Sequence, residues 1–115
     1  LCYPAAALEI RYYVADDGRQ PFADWFADVE PIARAKVARA IARMEQGNLS
    51  NVKSVGAGVQ EYRLDFGPGY RIYFGRDGDT LVILLTGGTK RRQQRDIDEA
   101  LSCWRDYKIR TRQRR

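Results

Sequence analysis

Val59-Gln60-Glu61-Tyr62-Arg63-Leu64-Asp65-Phe66, then Gly67-Pro68-Gly69, then Tyr70-Arg71-Ile72-Tyr73-Phe74-Gly75-Arg76 is the stretch on which the fold turns. Two alternating runs of apolar and polar residues flank a Gly-Pro-Gly turn, the pattern of a β-hairpin. Strand side chains alternate between faces, so Tyr62, Leu64 and Phe66 share a face with Tyr70, Ile72 and Phe74. A three-residue loop over Gly67 to Gly69 would set Phe66 opposite Tyr70, Leu64 opposite Ile72 and Tyr62 opposite Phe74, all core-like pairs. The other face then carries Glu61, Arg63 and Asp65 beside Arg71 and Tyr73, with Arg63 opposite Tyr73 and Arg71 opposite Asp65. Two arginines from adjacent strands are thus expected on one exposed sheet surface. Taken plainly, such a surface is a solvated face whose Arg–Asp pairs contribute ~0.2–1 kcal/mol each. Arg71, next to Gly69 and Tyr70 near the hairpin tip, fits that account less well than Arg63, which Glu61 and Asp65 flank.

Beyond the hairpin, Asp77-Gly78-Asp79 turns the chain into Thr80 to Thr86, which is almost wholly apolar and so expected centrally with both faces covered. Gly87-Gly88 is expected to end that strand and Thr89 to cap a helix from about Lys90 to Tyr107, with Ile97, Ala100, Leu101 and Trp104 as its apolar stripe. Ile109 to Arg115 reads as a basic, frayed tail. Before the hairpin, Asn51 to Gly58 reads as a loop carrying Lys53. Pro31 opens a helix in which Ala33, Val37, Ala40, Ile41 and Met44 recur at helical spacing, and Gly47-Asn48 stops it. A shorter helix starts at Pro21, and Leu8 to Val14 reads as a strand closed by Asp16-Asp17-Gly18. The expected order is β-α-α-β-β-β-α, an α+β arrangement with the first two helices paired against a sheet.

With 115 residues, 44% of them hydrophobic, the chain suits one domain spanning residues 1–115. Its longest apolar run, Leu81 to Leu85, is too short to cross a bilayer. Pro4 to Leu8 lacks the charged lead of an export signal, so a cytoplasmic location is expected. Cys2 and Cys103 offer neither metal-ligand spacing nor a disulfide framework, and are expected as reduced thiols, one packed in a helix. The absence of histidine excludes a His-based triad, a His metal site and a His general base, which leaves Lys, Arg, Tyr, Asp and Glu for any catalysis.

The net charge of +5 is unevenly placed: residues 1–89 hold ten Lys and Arg against eleven acids, residues 90–115 ten against four. That asymmetry suits an acidic partner, nucleic acid or acidic protein, although basic ends are often only solvated. Lys90, Arg91 and Arg92 crowd the expected start of the last helix, where the macrodipole already disfavours cations. Such a run is either a loose surface cluster or a seat for a phosphate or carboxylate.

Gly56-Ala57-Gly58-Val59-Gln60-Glu61-Tyr62-Arg63-Leu64 resembles the G-x-G-(L/V)-x-E-(L/F)-R stretch of the RelE/ParE toxin superfamily, closest to its HigB-like, phage Gp49-like branch of addiction module killer proteins. Gly67-Pro68-Gly69-Tyr70-Arg71-Ile72-Tyr73-Phe74 resembles that branch's GPGYRVYF hairpin. Gly87-Gly88-Thr89-Lys90, Gln93 or Gln94, and Asp96-Ile97 with Ala100 resemble its ending. The resemblance runs from about Leu8 to Asp106 and implies a RelE-like fold with a mainly antiparallel, curved sheet. It also implies mRNA cleavage on the ribosome, with ribosome and mRNA as partners, inhibition by a cognate antitoxin, a helix-turn-helix protein by expectation, and no metal or cofactor. By position, Arg63, Arg71 and Lys90 match the catalytic cations; Lys53 matches a loop position that contacts RNA, and Tyr73, Arg91 and Arg92 join it as RNA-binding candidates. Relatives that use a histidine, or a tyrosine or acid after the last strand, differ from this chain, so the resemblance leaves the proton-moving group open.

Metal-free RNA cleavage needs the 2′-hydroxyl aligned on its phosphate and charge stabilisation of the pentavalent transition state, a role the charged planar fork of arginine suits. A lysine serves as base only where neighbouring cations bring its pKa toward neutrality. Two other functions share these features: a ParE-like toxin that inhibits DNA gyrase without cutting RNA, and a basic nucleic-acid-binding domain, dependent on the Arg110 to Arg115 tail, that has lost activity.

Overall fold

The apolar run expected at the centre is β5 (Leu81–Thr89), whose residues Val82 to Gly88 are all buried. On one side it pairs in parallel with β1 (Glu9–Tyr12), on the other antiparallel with β4 (Tyr70–Asp77). The sheet continues antiparallel through β3 (Val59–Leu64) to β2 (Val52–Gly56), in the order β1-β5-β4-β3-β2. The structure, a computed structural model, describes residues 7–113. Cys2, the Pro4 to Ala6 part of the apolar N-terminal segment, and Arg114 and Arg115 of the basic tail lie outside them.

Each sheet face carries its own core. Beneath one lie α1 (Pro21–Asp28) and α2 (Pro31–Glu45), where Phe22, Val37, Ala40 and Met44 meet Tyr62, Ile72, Phe74, Val82 and Leu84. Both helices begin with Pro at the first turn, where no intrahelical N–H is lost. Glu30 caps α2 by accepting from the backbone N–H groups of Ile32 and Ala33 at 3.1 and 2.7 Å. Gly47, at φ +84°, closes α2 as Gly47 N donates to Met44 O and Asn48 N to Arg43 O. The opposite face is covered by α3 (Gln93–Gln113), whose Ala100, Cys103 and Trp104 pack on Tyr13, Val59, Tyr73, Ile83 and Leu85. Cys103 is a free thiol in that core, its pKa pushed up to about 11 by burial. Among the described residues no helix is long and apolar enough to cross a membrane.

The expected α+β architecture holds, with four corrections to its parts. Asn51 to Gly58 is not all loop: Val52–Gly56 forms β2, an edge strand with a register shift between Ser54 and Gly56. Its Val-Lys-Ser-Val-Gly sequence lacks period-two alternation, so pairing to β3 rather than its own pattern makes it a strand. The glycines expected to stop β5 lie within it: a Cβ on Gly87 would overlap the Trp25 ring, and one on Gly88 would overlap the Asp96 carboxylate. Thr89 makes no side-chain cap; Lys90–Arg92 form a single 3₁₀ turn, and α3 starts at Gln93. Nor does α3 fray after Tyr107, since it continues to Gln113 with Arg110 bonded to Asp106 and to the Val14 carbonyl.

Candidate functional site

The hairpin register differs from expectation by two residues. Tyr62 faces Ile72, Leu64 faces Tyr70, and Arg63 lies directly opposite Arg71. Strands end at Leu64 and resume at Tyr70, so Asp65 to Gly69 form a five-residue loop closed by Gly69 N donating to Phe66 O at 3.0 Å. A slip of two preserves which face each side chain occupies but changes every partner. Arg63 is therefore not opposite Tyr73, nor Arg71 opposite Asp65.

Like charges set directly across a sheet repel. Here Glu61, one pleat along the same face, is the shared counter-charge of both, which offsets one of the two positive charges. Its carboxylate accepts from Arg63 Nε at 2.8 Å, lies 3.7 Å from Arg71 Nη1, and accepts from Gln93 Nε2 of α3 at 2.9 Å. The Glu61 side chain is 0% exposed, Arg71 8% and Arg63 42%. Burial alone would raise the Glu61 carboxyl, but the hydrogen bonds from Arg63 and Gln93, with the Arg71 charge, hold it below the usual glutamate range. Tyr73, directly opposite Glu61, has its hydroxyl pKa raised chiefly by burial and then by that carboxylate.

The surface is thus not open in the way the alternation implies. α3 covers it, leaving Tyr73 wholly buried and Arg71 nearly so. Tyr73, expected to contact RNA, is instead part of the core under α3. Three atoms in this covered layer, Arg71 Nε, the Tyr73 hydroxyl and Asp96 Oδ2, are buried without a hydrogen-bond partner. Burial raises the Asp96 carboxyl above the usual aspartate value, while Arg92 and Arg95 pull it down.

The remaining candidates surround this layer. Lys53 pairs with Glu61 across β2 and β3, which places it on the same face at the sheet edge, exposed. Lys90, Arg91 and Arg92 are exposed on the 3₁₀ turn that follows β5, and Lys90 N donates to the hairpin carbonyl of Gly69 at 2.8 Å. The end of β3, the start of β4, the end of β5 and the start of α3 therefore meet at one end of the sheet. Among the described residues no hydrogen bond or ion pair joins Lys90 to the Glu61 cluster. Glu61, Gln93, Asp96 and Gly88 carry more of this site than their sequence pattern suggests. Their one legible signal is Glu61 and Arg63 two residues apart on a strand, hence on one face.

The protein-family model described as "Phage derived protein Gp49-like (DUF891)" matches residues 24–103 of this chain. An uncharacterized protein of Haemophilus influenzae is 41% identical over 80 residues, which cover 69% of this chain and 81% of that protein.

Proposed function

The chain belongs to the phage-derived Gp49-like family, a RelE/HigB-like toxin family, and we propose that it is the toxin of a type II toxin–antitoxin pair, a RelE-like ribosome-dependent endoribonuclease that stops translation by cutting mRNA. The observation that carries this reading is the opposition of Arg63 and Arg71 at the sheet end where the Lys90–Arg92 turn emerges. Cations at that rim suit the phosphates flanking a scissile bond, with the half-buried Arg63 and the exposed Lys53, Arg91 and Arg92 holding RNA. Arg71 and Lys90 add positive field where the phosphate gains charge.

In the proposed step the RNA 2′-oxygen bonds to phosphorus as the P–O5′ bond breaks. The 2′-hydroxyl gives up its proton and the departing 5′-oxygen takes one, leaving a 2′,3′-cyclic phosphate and a 5′-hydroxyl. No metal or cofactor enters the step. Much of the alignment is assigned to the ribosome, so the isolated chain is expected to be a poor nuclease. A cognate antitoxin, by proposal a helix-turn-helix protein, keeps the toxin silent. The domain spanning residues 1–115 acts in the cytoplasm on this reading.

One observation favours a second function. Both arginines are committed to a buried carboxylate, as in a structural ion cluster, which suits a ParE-like toxin that inhibits DNA gyrase by binding. Adding the purified chain to translating ribosomes separates the two. Cuts within codons, lost when Arg63, Arg71 and Lys90 are all replaced by Ala, support the nuclease. Intact mRNA together with gyrase inhibition that survives the triple replacement overturns it.

A further inference from the structure

Residues 31–44 of α2 hold four cations, Arg34, Lys36, Arg39 and Arg43, and no acid. All four are exposed, and among the described residues none forms an ion pair. Arg34 is occupied with the Val29 carbonyl, at 2.9 and 3.2 Å. Lys36, Arg39 and Arg43 follow one another at spacings of three and four, so they line one face of the helix, where like charges repel. That face is one wall of a cleft of about 260 Å³ whose other wall is Asn51 and the Tyr62 to Phe66 segment, including Arg63. The single acid of the lining is Asp65.

We propose that this cleft between α2 and β3 seats a run of RNA sugar-phosphate backbone, so that Lys36, Arg39 and Arg43 continue the cationic path that begins at Arg63. The inference rests on the RNA-cleaving reading for its ligand class and adds a surface to it. At a helical rise of ~1.5 Å per residue the three cations are spread over roughly 10 Å, room for about two to three successive phosphates. An acidic protein segment fits less well, because the cleft offers charge but no free apolar pocket for the anchoring side chains that dominate most protein–protein contacts. The apolar lining here is already used: Ala40 and Tyr62 are buried, and Lys36 Nζ sits 4.6 Å above the Phe66 ring. Arg63, shared by cleft and sheet end, gives the path its direction.

The test measures binding of the full chain to a short fluorescein-labelled single-stranded RNA across a salt series. It compares the wild type with Lys36→Gln/Arg39→Gln/Arg43→Gln and with a control of equal charge change, Arg105→Gln/Lys108→Gln/Arg112→Gln. The cleft variant should bind roughly tenfold or more weakly, and its log K against log salt slope should fall by about 2, since each lost single-strand phosphate contact removes about 0.7. Arg39→Lys/Arg43→Lys should keep the wild-type slope. Unchanged affinity and slope, an equal loss in the control, or no wild-type binding overturns the proposal. So does a glutamate-rich peptide that out-competes the RNA for the same residues. Failure of the parent reading looks different: RNA affinity falls in the cleft variant as stated, while no mRNA is cut on ribosomes.

Discussion

Glu61 decides how the two arginines behave. Neutralising it while keeping its shape, Glu61→Gln, leaves Arg71 buried without a counter-charge, which should cost about 3 kcal/mol at neutral pH. Arg63 is substantially exposed, so its share is discounted for solvent screening. The pH dependence has a definite sign. A carboxyl whose folded pKa is depressed adds stability that is full above its unfolded value, 4.5 for glutamate, and is lost as pH falls through the folded value. Urea titrations of wild type and variant should therefore converge as pH drops below 4.5, and a constant gap would show that the charge is not what stabilises. Asp96 should behave in the opposite sense. Burial raises its pKa, so ionisation costs the fold stability as pH rises through the folded value. Asp96→Asn is expected to stabilise by about 1 kcal/mol at neutral pH, with the gain vanishing as pH falls toward 3.8. A variant that is less stable than wild type at neutral pH would contradict this. The residue types at this site were legible in the sequence, but their partners were not, because alternation reports faces and says nothing of register or of which helix covers a face.

Elements were legible where their own sequence sets them. α2 begins at a Pro after an acidic cap and ends at a left-handed Gly, so its limits follow from local chemistry. β2 and the far end of β5 depend on neighbours instead. Gly87 reads as a strand stop because glycine weakens strands, yet it is the absence of a side chain that lets Trp25 lie against β5. Gly87→Ala should consequently destabilise by roughly 1–3 kcal/mol through overpacking. Combined with Trp25→Leu, the penalty should shrink, since the shorter side chain vacates the space that the new methyl needs. A double-mutant cycle by chemical denaturation measures this coupling; additive losses would mean that Gly87 is required for its backbone alone.

For the molecule as a whole, the sequence showed a basic C-terminal quarter but not how it is used. Arg110 is bound to Asp106 and the Val14 carbonyl and lies over the Tyr13 ring, so part of that charge fastens α3 to the chain after β1. Tyr13 reinforces the joint by donating to Asp106 at 2.5 Å. The same helix covers Tyr73 and reaches Glu61 through Gln93. Access to this buried layer, and to Arg71 within it, is therefore tied to whether α3 can leave while the rest stays folded, whereas Arg63 is already substantially exposed. The two tryptophans report on this from opposite faces. Trp25 packs against Gly87, Phe22 and Tyr70 on the α1 side, and Trp104 against Gly58, Gly75 and Tyr107 beneath α3. Because β4 and β5 supply side chains to both cores, neither core can lose its sheet without the other. Single-tryptophan variants, Trp25→Phe and Trp104→Phe, should therefore show coincident fluorescence transitions once each is normalised to its own midpoint by circular dichroism. If Trp104 emission changes at lower denaturant than the backbone signal while Trp25 stays buried, α3 detaches as a separate unit and Arg71 is uncovered by local opening. Coincidence would instead, on the proposed RNA-cleaving function, leave RNA to the accessible rim of Arg63, Lys53 and the Lys90–Arg92 turn, with Arg71 acting from beneath as fixed charge.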